Sequence, residues 1–130
     1  MALANSLDKP TTQKAIVVDD NIINAHYLKK MLADEGMIIT VVSDSANLTQ
    51  LILESDTKIV FLNSETLSSQ FQETVNSIRV AADSVVIVGT TPYSLEGARK
   101  KLISMGAEFA LSTPIYKKHL KGILNKVSIA

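Results

Sequence analysis

Five positions could act together if the fold brings them to one place. Asp19 and Asp20 form an acidic pair directly after the apolar run AIVV, Asn63 follows IVFL, Thr90 follows VVIVG, and Thr113 precedes Pro114. Paired carboxylates suit a hard divalent cation, but Mg2+ is normally held by carboxylates together with substrate phosphate oxygens. Two carboxylates without a phosphate offer a weak residual Mg2+ site at most, or simply a solvated acidic turn. The Asn63 amide lacks the charged oxygen with which a carboxylate attacks an electrophile. Ser64 and Ser112 have no neighbouring base. His26 and His119 have no second His or Cys at ligand spacing. Neither a GxGxxG nor a GxxxxGK[ST] nucleotide motif occurs. The chain is therefore read as having no catalytic residues and no cofactor beyond weak Mg2+.

These positions need elements that end beside one another. Short apolar runs alternate with segments of helical period. Strands are predicted over residues 15–18, 37–42, 59–62, 84–89 and 109–111, where β-branched and apolar residues cluster. Helices are predicted over residues 22–35, 44–54, 66–81, 94–105 and 116–127, each with an apolar stripe at three- and four-residue spacing. Asn21 is placed to cap the first, and Gly36 and Gly106 to stop two of them. Five strand–helix units with strands that read as continuous apolar runs imply a parallel sheet covered on both faces. In such sheets function gathers at the carboxyl ends of the strands, which is where the five positions fall.

The 130 residues suffice for one domain with its own core. Residues 1–13 read as a polar flexible tail and residues 14–130 as the folded domain. No apolar run approaches the ~20 residues needed to cross a bilayer. The first residues lack the basic and apolar segments of a secretory signal. With no cysteine in the chain, these features point to a cytoplasmic protein in a reducing compartment. Charge is uneven. Residues 1–90 carry six basic residues against eleven acids, a net of minus five; residues 91–130 carry seven against two, a net of plus five.

The segments VVDDNIINAHYLKKMLADEG, IVGT ending at Thr90, and GAEFALSTP from Gly106 to Pro114 together resemble the response-regulator receiver family, over residues 14–127. The DDNxxN spelling is similar to receivers attached to hybrid sensor kinases. The resemblance implies a doubly wound (βα)5 α/β fold with strand order 2-1-3-4-5 and a cis Thr113–Pro114 bond. It also implies a phosphorylation pocket built from Asp19, Asp20, Asn63, Thr90 and Thr113, with Mg2+ held by the acidic pair and the carbonyl of Glu65. The chain departs from that pattern at its working residues. Asn63 stands where the family has its phosphoacceptor aspartate, Thr113 where it has lysine, and Ala110 where it has an aromatic switch. Phe109 is adjacent, but strand alternation turns it to the other face. Thr66, Leu67 and Phe71 occupy the places of the family's Met-Pro pair and later glycine.

A pseudo-receiver follows from this: a protein-interaction module of signalling that does not use phosphorylation. Its partner face is expected on the basic C-terminal third, at Tyr93, Arg99, Lys100, Lys101, Tyr116, Lys117 and Lys121. An acidic protein surface is the partner such a face fits. Nucleic acid is not expected, since no aromatic platform or recognition helix stands out. The alternative is a phosphoryl-accepting receiver in which Asn63 is an inactivating substitution. One change of that kind does not account for Thr113, Ala110 and the missing Met-Pro pair. The oligomeric state is left open.

Overall fold

A computed structural model describes residues 12–127. Residues 1–11, most of the expected tail, lie outside the described residues, while the Gln13 carbonyl already accepts the Ile38 N–H at 3.0 Å. The first strand, β1 (Lys14–Val18), leads into helix α1 (Ile22–Asp34). Asn21 caps α1 as expected, its side chain accepting the Asn24 N–H at 3.0 Å. Gly36, with φ +84°, closes it. Strand β2 (Ile38–Val42) follows, then helix α2 (Leu48–Ser55). α2 begins four residues later than its apolar pattern suggests. The Asp44 side chain accepts the Ala46 N–H at 2.9 Å and holds residues 44–47 in a turn instead.

Strand β3 (Ile59–Asn63) is buried along its whole length. The single helix expected over residues 66–81 is broken. A one-turn helix α3 (Ser64–Leu67) and a 3-10 turn (Ser68–Gln70) precede helix α4 (Phe71–Ala81), with Ser68 at φ 51° between them. Strand β4 (Val86–Thr91) lies two residues further on than expected, so Thr90 and Thr91 belong to the strand. Helix α5 (Glu96–Ser104), strand β5 (Phe109–Ser112) and helix α6 (Lys117–Lys126) complete the chain. Gly106 sits at φ +108°, where an added Cβ would come within 2.7 Å of Val75 Cγ1, so both backbone and space require glycine.

The five strands are parallel in the order β2-β1-β3-β4-β5, as expected. Strand alternation divides the core. Ala15, Val17, Ile59 and Phe61 pack under α1 and α6 with Leu28, Leu32, Leu120 and Leu124. Ile16, Val18, Val60 and Leu62 pack on the other face with Ile52, Phe71, Ile78 and Leu102, from α2, α4 and α5. Phe109 joins the first cluster and Ala110 the second, as alternation requires. The edge strand β2 is the exception to burial, with Ile38 and Val41 exposed.

Candidate functional site at the strand ends

β1 and β3 are paired in register, Val18 beside Leu62. The residues that follow therefore meet. Asp19 and Asn63 are both buried, 7% and 5% exposed. Asn63 Nδ2 donates to Asp19 Oδ2 at 2.9 Å. The other carboxylate oxygen, Oδ1, accepts the Asn21 N–H at 2.8 Å. Asn63 Oδ1 in turn accepts the N–H groups of Glu65 and Thr66, at 2.7 and 3.2 Å, and so caps α3. Asp20 is held separately. Its N–H donates to Thr66 Oγ1 at 3.0 Å, and the Thr66 hydroxyl donates back to Asp20 Oδ1 at 2.9 Å.

The orientation of the Asn63 amide follows from its neighbours. Two backbone N–H groups, which only donate, face one end of it, so that end must be the oxygen. The NH2 end is thereby aimed at Asp19, which as a carboxylate only accepts. An aspartate at position 63 would set two carboxylates against each other, a contact that calls for a cation between them. Here the amide takes that cation's place.

The donor set does not fit Mg2+. That ion requires oxygen ligands in near-octahedral array. Asn63 presents N–H toward Asp19 instead of oxygen, and both Asp19 oxygens and one of Asp20 already accept hydrogen bonds. These bonds fix the start of α1 to the start of α3.

Thr90 lies beside Asn63 in the β3–β4 register and is buried. Thr113 bonds to the neighbouring strand. Its N–H donates to the Thr91 carbonyl at 2.8 Å, and its hydroxyl lies 3.5 Å from the same oxygen. The Thr113–Pro114 bond is cis, as the resemblance implies. The structure thus bonds Asp19 to Asn63, reaches Asp20 through Thr66, sets Thr90 beside Asn63, and bonds Thr113 to Thr91. Thr66 is the member that residue reading missed as a participant. Its only signal is a hydroxyl three residues after a strand-end amide.

The expected partner face is less uniform than its charge suggests. Tyr93, Lys100, Lys101, Tyr116, Lys117 and Lys121 are exposed, but Arg99 is half-buried. Its Nη1 donates to the Ser94 carbonyl at 2.8 Å and to Ser112 Oγ at 2.7 Å, and Ser112 Oγ donates to the Tyr93 carbonyl at 2.8 Å. Arg99 therefore pins the β4–α5 loop to the end of β5. Lys121 pairs with Glu35 at 3.7 Å, and so faces the end of α1. Lys101 lines the cleft between α3 and α5 with Ser64 and Glu65. Lys100 pairs with Glu96 one turn away, and Tyr116 meets His119 edge-on. Arg99→Ala should release the loop: amide exchange over residues 92–95 should accelerate severalfold, with a loss of about 1–2 kcal/mol. Unchanged exchange there would show that the loop is held by other means.

Among the described residues no helix is long and apolar enough to cross a membrane. No protein-family model matches the chain. It is 25% identical over 122 residues to hybrid signal transduction histidine kinase I of Dictyostelium discoideum, covering 87% of this chain and 7% of that protein's length. Its fold matches a response regulator from Thermotoga maritima with a TM-score of 0.79 at 15% identity, covering 92% of this chain and all of that one. An atypical orphan response regulator with a phosphorylation-independent regulatory mechanism matches at 0.75 and 14% identity, over 91% of this chain and 98% of the other. An orphan response regulator of H. pylori matches at 0.74 and 13%, over 94% and 100%. With strand order and helix layers in agreement, the chain has the fold of response-regulator receiver domains.

Proposed function

We propose that this chain is a pseudo-receiver of two-component signalling, a protein-interaction module whose output does not depend on phosphorylation. One observation carries the reading. The Asn63 amide donates to Asp19 at 2.9 Å while its oxygen caps α3, so the residue at the acceptor position is held at both ends and has no nucleophilic oxygen. The Asp20–Thr66 pair and the neutral, short Thr113 support it, because the first occupies a carboxylate oxygen and the second offers no cation to a phosphoryl group. These two features also weigh against the alternative of a phosphoryl-accepting receiver disabled at Asn63 alone. Likeness to an atypical orphan regulator is compatible with this reading.

The basic C-terminal third is the face we assign to a partner with an acidic surface. Exposed lysines steer such a partner over distances near the Debye length, about 8 Å at physiological ionic strength. For a protein captured from source cells, Lys100→Glu with Lys117→Glu should slow association at least about tenfold at low salt. Asp20→Asn keeps an oxygen for the Thr66 hydroxyl and should leave binding unchanged. Surface-plasmon kinetics would decide. If Asp20→Asn abolished binding and the lysine changes did not, the strand-end pocket would be the docking site and the reading would fail.

A further inference from the structure

The two edges of the sheet differ in a way that the partner reading leaves unused. β2 and β5 are the edge strands. Their sequences, IITVV and FALS, contain no charge and no proline, the devices that usually keep an edge from pairing. Among the described residues each edge strand is hydrogen-bonded on one side only. Their flanks carry opposite charge. Residues 34–58, around β2 and α2, hold five acids against Lys58, whereas residues 91–127 hold seven basic residues against two acids.

Each edge also opens into a cleft. On the β2 side Asp44 and Glu54 line a cavity of about 350 Å3 with Val42 and Leu51. On the β5 side Arg99, Tyr116 and His119 line one of about 480 Å3 over Ala110 and Leu111. Lys100 and Lys118 lie next in sequence to Arg99 and His119 and are exposed. Exposed apolar groups stand beside both: Ile38 and Val41 at β2, Leu95 and Tyr93 near β5.

We infer that a second copy of this chain is an acidic partner of the basic face, the β2–α2 edge of one molecule docking on the β5 edge of the next. The inference rests on the proposed partner face and names an occupant for it. A two-fold symmetric contact would set acid against acid or base against base, which opposes it. A head-to-tail contact sets unlike charges together and keeps β2 and β5 parallel, so the sheet could continue from one copy to the next by strand addition.

Sedimentation velocity of the full chain tests this. The sedimentation coefficient should rise with protein concentration at low salt and return to the monomer value at about 1 M salt, where the Debye length falls to ~3 Å. Lys100→Glu with Lys118→Glu, and separately Asp44→Lys with Glu54→Lys, should each be monomeric. A mixture of the two variants should associate again, because each restores an opposite charge for the other. Circular dichroism checks that both fold; if either does not, the salt dependence and an edge-blocking Thr40→Lys variant carry the test. A monomer at every concentration would overturn the inference and leave capture of another acidic protein standing. Variants that associate alone but gain nothing on mixing would point to a symmetric contact and overturn it too. Association that appears only after removal of residues 1–11 would make the chain's own N-terminal segment the occupant of the β2 edge, and would equally overturn it.

Discussion

Asn63→Asp is expected to lower the stability of the chain by about 2–4 kcal/mol at pH 7 in the absence of divalent ions. The substitution keeps size and capping oxygen but replaces an N–H donor with a second acceptor. The 2.9 Å contact to Asp19 becomes one between two buried carboxylates. Like charges so close cannot both ionise without cost, so one proton of the pair is held above the ordinary aspartate range, about 3.9. The sign follows from proton linkage. A folded state that holds a proton the unfolded state has lost becomes less stable as pH rises. The deficit should therefore be small near pH 4 and grow toward neutrality. Mg2+ should recover much of it, since the variant regains a third carboxylate; saturation to about 100 times the dissociation constant is worth ~2.7 kcal/mol. Urea unfolding with and without Mg2+ measures this. A variant as stable as the parent chain at pH 7, with no response to Mg2+, would mean that the amide–carboxylate bond contributes nothing.

Exchanging the two groups should cancel most of that loss. Asp19→Asn alone sets one NH2 group against another, leaving a buried donor unpaired at a cost of about 1–3 kcal/mol. In the double variant Asp19→Asn with Asn63→Asp, the amide at position 19 donates to the carboxylate at position 63. The new carboxylate still accepts the N–H groups of Glu65 and Thr66, and the amide oxygen at 19 still accepts that of Asn21. The coupling energy between the sites should be at least about 2 kcal/mol in the stabilising direction, well outside the ~0.3–0.5 kcal/mol scatter of independent sites. Strictly additive losses would show that the two side chains do not act on each other.

How much of this was legible in the sequence differs by level. The parallel sheet was legible because β1 and β3 are buried on both faces and so read as unbroken apolar runs. β2 has a similar run, yet Ile38 and Val41 are exposed, because an edge strand is covered less completely. The start of α2 and the break at Ser68 were not legible, since apolar spacing continues across both; an Asx turn at Asp44 and a positive φ at Ser68 decide them. At the site, strand ends placed Asp19, Asn63 and Thr90 correctly. The sequence could not show which way the Asn63 amide turns, or that Thr66 bonds to Asp20 from 46 residues away. Nor did the basic count reveal that Arg99 bonds to Ser94 and Ser112. Hydrogen bonds between distant segments leave no local period to read.

The measurement closest to the central claim is intact-mass spectrometry of the chain after incubation with acetyl phosphate and Mg2+. With an amide at position 63 committed at both ends, the mass should not change. A stable gain of one phosphoryl group that persists in Ser64→Ala would contradict the account and restore a phosphorylation-dependent receiver.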